Sequence, residues 1–554
     1  MRQSSVLTSL NSLNSPIRIG NIQVASNFGA IGFTLCPGKW QTNSISGTWR
    51  RDLGTDIDAL AAWDATAVVT LMPMNELLEV QAQGIGTACE AHGIEWHHLP
   101  IVDVSIPDEN FEIAWIYSGL RLREHLRAGR NVVLHCRGGL GRSGTIVARL
   151  LVEMGWDANE AINAVRAQRR GAIETSAQEA HVRNTLSLPR DESHAARVLG
   201  CVLGGATGDA FGYGIEFDNL ESIRHKHGPL GLREPLLHGG KLVVSDDTQM
   251  TLFTLEALNL TMPTQMSPPY CSSMTRPFQA ACQHAYLRWG DSQGVAVPDL
   301  YDDGDAARLY LSPVMRKRQA PGNTCISAVR AGALGTTLHP INQSKGCGAV
   351  MRTAPIGLMQ GANSALAMEL GEAAGALTHG HIDGWLPSGA LSAIVREIMN
   401  GEEIDAATNT VMSLLNDHPH FDKDLVRKSG TTRLLCIVLR LLQGDKAANA
   451  VFSLLGEGWT GDEALAIGVY AACTENEFKK VVRLAANHDG DSDSTASIAG
   501  QLYGARHGIT AVPHDWVRQL DVLPDALRLI KHFLVFDTPS QGVADNVNQP
   551  RKEI

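Results

Sequence analysis

A cysteine and an arginine share a short glycine-rich loop that could bind phosphate. Residues 135–144 read HCRGGLGRSG, directly after a predicted strand and directly before a predicted helix. Amide groups that converge at a helix N-terminus form an anion site, and the helix dipole favours the thiolate form of Cys136. Arg142 carries a planar guanidinium that can bind two phosphate oxygens, and Ser143 could donate a hydrogen bond to the sulfur. The glycines that allow a tight loop are Gly138, Gly139 and Gly141. This combination favours a cysteine-dependent phosphatase over a buried structural cysteine.

The loop resembles that of the protein tyrosine and dual-specificity phosphatases. It is most similar to the cyclin-dependent-kinase-associated phosphatase branch, which has a closely similar H-C-x-G-G-L-G-R-S loop, and the resemblance covers roughly residues 25–185. The resemblance implies Cys136 as nucleophile, Arg142 as phosphate clamp and an aspartate on a separate loop as general acid.

The segment HHLPIVDVSIPDENF contains two candidates for the general acid. Asp103 follows a predicted strand and matches the position where this phosphatase branch has its acid. Asp108 follows Pro107 and is better placed to begin the next helix, where a carboxylate stabilises the N-terminus. We therefore favour Asp103, while Asp108 stays open as the alternative.

Two further segments place carboxylates and hydroxyls at predicted helix starts. VSDDTQMTLFTLEAL (244–258) begins one helix, and NHDGDSDSTASIAGQLYGA (487–505) begins another; the side chains concerned are Ser245, Asp246, Asp247, Asp491, Asp493 and Ser494. Ordinary N-capping would explain one such residue per helix but not three. Four carboxylates and two hydroxyls form a hard oxygen ligand set that suits Mg²⁺, Mn²⁺ or Ca²⁺. The pattern predicts a metal centre of one or two ions.

Six motifs in order, spread over the second half, resemble the ADP-ribosylglycohydrolases. They are GCVLGGATGDAFGYGIEF (200–217), VSDDTQM (244–250), KGCGAVMRTAPIG (345–357), ALTHGH (376–381), GWTGDEALAIGVYA (458–471) and HDGDSDSTASIAG (488–500). The resemblance implies an all-α fold and a binuclear Mg²⁺ or Mn²⁺ centre held by the six residues named above. Serine at the two hydroxyl positions is more similar to the branch that removes ADP-ribose from arginine.

The same resemblance implies further residues around the substrate. Glu216 would act near the scissile bond, and the substrate-binding positions would be Asp209, Ser344, Gly346, Cys347, Gly348 and His379. The glycine-rich segment would let the backbone approach the diphosphate or ribose closely. A structural role for His379 is an equally open interpretation.

The two halves of the chain differ in their predicted secondary structure. Short β-type runs at 67–72, 94–103 and 131–135 alternate with amphipathic stretches at 111–126 and 144–154, which predicts a mostly parallel α/β sheet. After the polar segment 187–195, helical patterns rich in Ala, Gly and Leu prevail. We predict an N-terminal segment (1–24), an α/β cysteine-phosphatase domain (25–186), a linker (187–195), an all-α domain (196–538) and a polar tail (539–554).

Composition excludes several classes of function. A net charge of −11 over 554 residues, without a Lys/Arg cluster, gives no reason to expect a nucleic-acid partner. We expect no membrane partner, because no stretch of about 18 apolar residues occurs. Ten scattered cysteines without a C-x-x-C pair and the lack of a signal peptide favour the cytoplasm.

The sequence thus predicts a bifunctional hydrolase. One domain would cleave phosphate from a phosphoprotein or small phosphomonoester without a metal. The other would use two Mg²⁺ or Mn²⁺ ions to remove ADP-ribose from modified protein side chains, arginine being favoured. One alternative is that the substrate is ADP-ribosyl-serine or a small ADP-ribose ester. Another is a reading module, meaning that one domain binds ADP-ribose or phosphate but is inactive as an enzyme.

Overall fold

The structure is a computed structural model that describes residues 9–44, 47–262, 270–298, 309–332, 335–418, 420–444 and 451–537. It divides into two compact units, Met1–Glu192 and Ser193–Ile554. The division lies inside the predicted linker 187–195, of which the last residues already begin a helix. The predicted polar tail 539–554 lies outside the described residues.

The first unit contains a five-stranded sheet in the order β1-β2-β7-β5-β6. Only β1 is antiparallel to its neighbour, and the other three pairings are parallel. A separate hairpin pairs β3 with β4. The strands are β1 (Gly20–Gln23), β2 (Ala30–Leu35), β3 (Trp40–Ser44), β4 (Gly47–Arg50), β5 (Ala65–Thr70), β6 (Glu95–His98) and β7 (Asn131–Cys136). The predicted mostly parallel α/β fold is confirmed, although its sheet begins at Gly20, before the predicted boundary at residue 25.

Seven helices accompany these strands in the first unit. They are α1 (Leu53–Ala62), α2 (Met74–Glu79), α3 (Ile85–Ala91), α4 (Glu109–Arg127), α5 (Gly141–Glu153), α6 (Ala158–Gln168) and α7 (Ser176–Arg183). The central strands β5 and β7 are apolar along most of their length and, apart from the partly exposed Thr66 and Asn131, are buried in one hydrophobic core. Burial of both faces is the usual environment of parallel strands.

The strand predicted over 94–103 is shorter than expected, because β6 ends at His98. Pro100 has no amide hydrogen and cannot continue a ladder. The backbone nevertheless stays close to β5, since the amides of Leu99 and Ile101 donate to Thr70 and Leu71 at 3.0 and 3.1 Å. The following loop is thereby fixed beside the end of the sheet.

The described part of the second unit is built from helices, as predicted. They are α8 (Ser193–Tyr213), α9 (Leu220–His227), α10 (Asp246–Thr261), α11 (Thr275–Ser292), α12 (Asn323–Ala331), α13 (Ser364–Ala376), α14 (Ile382–Met399), α15 (Ile404–Asn416), α16 (Lys423–Lys428), α17 (Gly430–Leu442), α18 (Val451–Leu455), α19 (Gly461–Thr474), α20 (Phe478–Ala486), α21 (Ser492–His507), α22 (His514–Gln519) and α23 (Leu523–Phe536). Short 3₁₀ turns cover Cys347–Arg352 and Ala354–Leu358. Where the chain is described, no helix is long and apolar enough to cross a membrane.

Helices α8 and α21 approach each other through glycines. A Cβ atom on Gly204 of α8 would lie only 2.6 Å from the carbonyl oxygen of Gly500 of α21, and a Cβ on Gly500 would meet the Gly204 carbonyl more closely still. Three more glycines of α8 face α21 backbone in the same way: Gly200, Gly208 and Gly212. Only residues without a side chain permit this spacing.

We expect Gly204→Ala to destabilise the second unit by about 1–3 kcal/mol, because the added methyl overpacks the α8–α21 contact. Thermal unfolding of the full chain would measure the loss. The matched control is Gly54→Ala in α1, where the new Cβ would meet only Asp52 Oδ1 at an ordinary 3.5 Å. Alanine favours a helix by about 1 kcal/mol over glycine, so this control should not destabilise. Equal stability of the parent and Gly204→Ala would contradict the packing argument.

Candidate active sites

The first candidate site lies where β7 ends and α5 begins. Cys136 is the last residue of β7 and is 3% exposed, and the α5 helix starts at Gly141. The sulfur accepts a hydrogen bond from the amide of Gly139 at 3.2 Å. Of the three loop glycines, only Gly139 has a left-handed backbone, with φ of 69°, so it is the position that requires glycine. The strand–loop–helix context predicted from the sequence is present.

Arg142 is buried and fixed from several directions. Its two terminal nitrogens each lie 2.9 Å from the Glu76 carboxylate, and Nη1 also donates to the carbonyl of Ile101 at 2.9 Å. Nη2 lies 3.0 Å from Asp103 Oδ1. Nε is buried without a hydrogen-bond partner. The side chain is held rigidly while one donor stays available to a ligand.

The two candidate general acids occupy different environments. Asp103 lines the same cavity as Cys136, and its side chain is 59% exposed. Asp108 is the N-cap of α4, where its carboxylate accepts from the amide of Phe111 at 2.9 Å. The geometry therefore gives Asp108 a structural role and leaves Asp103 in the cavity that Cys136 also lines.

The residues flanking the nucleophile differ in part from expectation. Ser143 Oγ is completely buried and has no hydrogen-bond partner, so the predicted bond to the Cys136 sulfur is not formed here. The Gly139 amide takes that position instead. His135 lies on the other side, 2.7 Å from Thr70 Oγ1, and burial lowers its pKa to about 3. His135 is therefore a neutral anchor between β7 and β5.

A cavity of about 820 Å³ opens above this loop. Its basic side chains are Arg18, Lys39, Arg51, Arg137, Arg142 and Arg169. Lys39 donates to the carbonyl of Arg137 at 3.3 Å, and burial lowers its pKa. Arg169 donates to the carbonyl of Gly138 at 3.2 Å and keeps a buried Nη1 without a partner. The cavity is suited to an anion.

The second candidate site forms where α10 and α21 begin. Ser245 is the N-cap of α10 and accepts from the amide of Asp247 at 3.2 Å, while Asp491 is the N-cap of α21 and accepts from Ser494 at 3.2 Å. Asp209 of α8 binds the start of α10, since its carboxylate accepts from the amides of Ser245 at 3.0 Å and Thr248 at 3.0 Å. The predicted substrate-binding residue Asp209 is thus placed where it organises the helix start.

Six carboxylates gather at this point: Asp209, Glu216, Asp246, Asp247, Asp491 and Asp493. Burial raises the pKa of Asp247 and of Asp493 well above the usual range, and neighbouring carboxylates raise both further. Burial is also the main cause that raises the pKa of Asp246 to about 8 and that of Glu216 to about 9. The pKa of Asp209 rises to about 6, although hydrogen bonds from Thr248 and Ser245 lower it.

This cluster fits a divalent cation. Among the described residues, none of the six carboxylates has a Lys or Arg partner. Oxygen Oδ2 of Asp247 and oxygen Oε2 of Glu216 are buried without any hydrogen bond. Adjacent buried carboxylates repel one another unless a cation neutralises them, and an all-oxygen donor set is the kind that Mg²⁺ and Mn²⁺ prefer.

The glycine-rich segment borders the carboxylates. The Cys347 thiol donates to Asp491 Oδ2 at 2.7 Å, and burial together with Asp491 raises the pKa of this thiol. Ser344 Oγ lies 3.0 Å from Thr324 Oγ1. A Cβ on either Gly346 or Gly348 would come within 3.4 Å of the His379 ring. The predicted substrate-binding segment is therefore brought beside the cluster.

His379 lies beneath this segment and is 1% exposed. Its Nδ1 pairs with Thr378 Oγ1 at 2.8 Å, and burial, helped by the charge of Arg352, lowers its pKa to about 3. Arg352 donates to the carbonyl of Gly348 at 3.0 Å and to Thr378 at 2.7 Å. These contacts favour a supporting role for His379.

Two residues that hold the site side chains and backbone in place were not identified from the sequence. Glu76 holds Arg142 from α2, and Arg352 holds the Gly348 carbonyl from the end of the KGCGAVMR motif. The position of Arg352 inside that motif could have indicated its role. Glu76 lies in an ordinary helical stretch and gives no local signal.

Family comparisons cover both units. A family model described as ADP-ribosylglycohydrolase matches residues 190–540. A second model, described as the DSP-PTPase phosphatase domain of the Swiss Army Knife protein, matches residues 43–182. Both resemblances predicted from the motifs are confirmed.

Three curated relatives illustrate these similarities. The ADP-ribosyl-[dinitrogen reductase] glycohydrolase of Rhodospirillum rubrum is 24% identical over 333 residues, covering 59% of this chain and 90% of that protein. The ADP-ribosylarginine hydrolase Tri1 of Pseudomonas putida (strain GB-1) is 38% identical over 58 residues, covering 10% and 16%. Cyclin-dependent kinase inhibitor 3 of Rattus norvegicus is 30% identical over 132 residues, covering 23% and 61%.

The positions of the two aspartates generate a prediction. Asp103→Asn should lower the turnover of phosphate esters with poor leaving groups by about 10²–10⁴-fold, since only these require a proton as the bond breaks. Turnover of nitrophenyl phosphate should fall much less. Steady-state kinetics on the two substrates would measure the difference.

The matched control is Asp108→Asn, because asparagine also caps a helix and the stability of α4 should be kept. This variant should retain both activities. If Asp108→Asn showed the dependence on leaving group and Asp103→Asn did not, the two assignments would be exchanged.

Proposed function

The chain belongs to the ADP-ribosylglycohydrolase family and also carries a dual-specificity-type phosphatase domain, and we propose that it removes ADP-ribose from modified proteins and hydrolyses phosphate monoesters. The observation that carries the first activity is the cluster of six buried carboxylates, four of which stand at the starts of α10 and α21. The second activity rests on the Cys136 loop. All ten cysteines are unpaired, which fits a reducing compartment such as the cytoplasm.

In the phosphatase domain, the thiolate of Cys136 would attack phosphorus and form a cysteinyl phosphate. The oxygen of the leaving alcohol or phenol takes a proton from Asp103 as its bond to phosphorus breaks. Water then hydrolyses the cysteinyl phosphate and releases inorganic phosphate. Arg142 Nε and the loop amides hold the phosphate oxygens during both steps.

Two classes of phosphatase substrate remain candidates: a phosphoprotein and a small phosphomonoester. The second is favoured by a specific observation, since the cavity volume of about 820 Å³ is in the range of small-molecule sites. Lys39 and Arg169 would bind further anionic groups of such a molecule. Parallel assays on phosphotyrosine peptides, phosphoserine peptides and small sugar phosphates would separate the classes.

In the glycohydrolase domain, one or two Mg²⁺ or Mn²⁺ ions would be held by Ser245, Asp246, Asp247, Asp491, Asp493 and Ser494. Such ions, when bound, supply a positive charge that orients ribose hydroxyls and lowers the pKa of water. The buried carboxylates stabilise positive charge that develops on the ribose as the glycosidic bond breaks. Glu216 has a free oxygen that can contact the substrate at this bond.

Arginine is the side chain that we favour as the site of modification. Serine at positions 245 and 494 is similar to the branch that cleaves arginine linkages, and the Pseudomonas relative carries the name of an ADP-ribosylarginine hydrolase. Serine-linked ADP-ribose and small ADP-ribose esters are the alternatives. Incubation with arginine-, serine- and glutamate-linked ADP-ribosyl proteins, with and without Mg²⁺, would distinguish them by the ADP-ribose released.

A different class of function is a reading module that binds ADP-ribose or phosphate without turnover. The complete set of carboxylates and the paired Cys136 and Arg142 support catalysis in both domains instead. Release of ADP-ribose that depends on metal, together with turnover of an aryl phosphate, would exclude the reading module.

The shared metal centre leads to a prediction about two distant residues. Asp247→Asn and Asp493→Asn should both weaken Mg²⁺ binding and abolish most ADP-ribose release, because each removes a charge from the same cluster. Calorimetric titration with Mg²⁺ and an ADP-ribose release assay would measure the two effects. Widely different metal affinities of the two variants would contradict a shared centre.

The phosphatase domain is the internal control for this experiment. A chelator should stop ADP-ribose release and leave aryl-phosphate turnover unchanged, whereas Cys136→Ser should have the reverse effect. Loss of a bound ion should also lower the stability of the second unit, since an ion that binds only the folded state stabilises it. Full ADP-ribose release in the presence of a chelator would overturn the metal assignment.

A further inference from the structure

Two exposed aromatic rings stand beside the carboxylate cluster. Phe217 is 77% exposed and Trp459 is 41% exposed, although both are large apolar side chains. Their ring centroids lie 6.4 Å apart with an interplanar angle of 20°. Single exposed apolar residues are common, but a stacked aromatic pair at the edge of a polar site indicates a surface that binds something.

The backbone ties both rings to the site. Phe217 directly follows Glu216, whose carboxylate is buried in the cluster, and the turn is closed by the Ile215 amide donating to Gly212 at 2.9 Å. The carbonyl of Trp459 accepts from the amide of Cys347 at 3.2 Å. The Cys347 thiol in turn contacts Asp491. The rings therefore come from two distant segments that both contact the carboxylates.

The residue before Trp459 strengthens this connection. Gly458 has a left-handed backbone with φ of 85°, and a Cβ on it would lie 3.4 Å from the Cβ of Asp491. A bridge between Gly346 and Thr460 fixes the other side of the same turn. These contacts fix the backbone at Trp459, while the residue as a whole stays 41% exposed.

The charge around the pair selects which part of the substrate it can bind. Six carboxylates lie close by and two divalent ions would supply at most four positive charges, so a cation is favoured here and a diphosphate is not. The exposed Lys345 and the backbone of the glycine-rich segment are a more suitable place for the diphosphate. Because the adenosine is bonded to the diphosphate, it would lie on that side as well. The remaining part of an ADP-ribosylated arginine is its guanidinium, which is flat and positively charged.

We infer that Phe217 and Trp459 form a stacking surface for the guanidinium of the ADP-ribosylated arginine and thereby determine the linkage that the site accepts. This inference rests on the proposed glycohydrolase function and specifies its leaving group. Arginine side chains stack on aromatic faces through both charge and shape. A serine or ester linkage offers neither a cation nor a plane, so the pair contributes nothing to its binding.

The test compares variants on a matched pair of substrates, one peptide ADP-ribosylated on arginine and the same peptide ADP-ribosylated on serine. Trp459→Leu and Phe217→Leu keep an apolar side chain and remove the ring. Each should raise KM for the arginine-linked peptide on the order of tenfold, with kcat little changed. Trp459→Phe should restore most of the loss, and activity on the serine-linked peptide should not move.

A direct binding measurement is independent of turnover. Agmatine, a small guanidinium compound, should bind to the parent protein in the presence of ADP-ribose and Mg²⁺ and bind about tenfold more weakly to Trp459→Leu. The affinity for ADP-ribose itself should be equal in both. Phe536→Ala in α23 is the control, because Phe536 is another exposed aromatic residue and its loss should change none of these values.

The outcomes separate this inference from the proposed function. If the parent released ADP-ribose only from serine, the proposed arginine specificity would be wrong. Agmatine binding would still test the stacking surface in that case. A parent that cleaves the arginine linkage but whose variants lose ADP-ribose affinity, or lose both substrates equally, would overturn the inference and place the adenosine or ribose on the rings. Unchanged kinetics and unchanged agmatine affinity in the variants would overturn it as well.

Discussion

Mutual repulsion of six buried carboxylates is the constraint on which the second unit depends. Charges of one sign remain together away from water only when a cation, or protons, neutralise them. Three helices bring five of them within reach, because α8 supplies Asp209, the start of α10 supplies Asp246 and Asp247, and the start of α21 supplies Asp491 and Asp493. The glycines of α8 permit the close approach of these helices. The close packing of these helices therefore places the carboxylates where a cation could neutralise them.

The phosphatase domain solves the opposite electrostatic problem. Its cavity collects guanidinium and ammonium groups around one thiol, and Glu76 accepts hydrogen bonds from both terminal nitrogens of Arg142 and so helps to orient it. Lys39 is buried and loses proton affinity through desolvation. An entering phosphate would replace the water lost by these cations, which makes anion binding favourable. One chain thus contains a site built for cations and a site built for anions.

The sequence predicted where the site residues stand on strands and helices better than it predicted the contacts that hold them there. Cys136, Arg142 and the two carboxylate segments stand in local patterns whose placement on a strand end or a helix start follows from short-range rules. The Glu76–Arg142 pair joins elements 66 residues apart, so no local pattern encodes it. The Gly139–sulfur hydrogen bond spans three residues and β6 ends just before Pro100, so both follow from local signals that the prediction did not use. The residue roles themselves remain predictions.

In both domains, the residues on the two sides of the bond to be broken differ in their exposure to solvent. Groups that hold the part to be removed are buried: Arg142 for phosphate, and Asp247 and Asp493 for ribose. Groups that face the part left on the protein are exposed, namely Asp103 with 59% and the Phe217–Trp459 pair. A removed group can be enclosed, whereas the carrier that it leaves stays outside. Selectivity for the carrier would therefore reside in these exposed side chains, and Asp103 would in addition supply the proton for the leaving group.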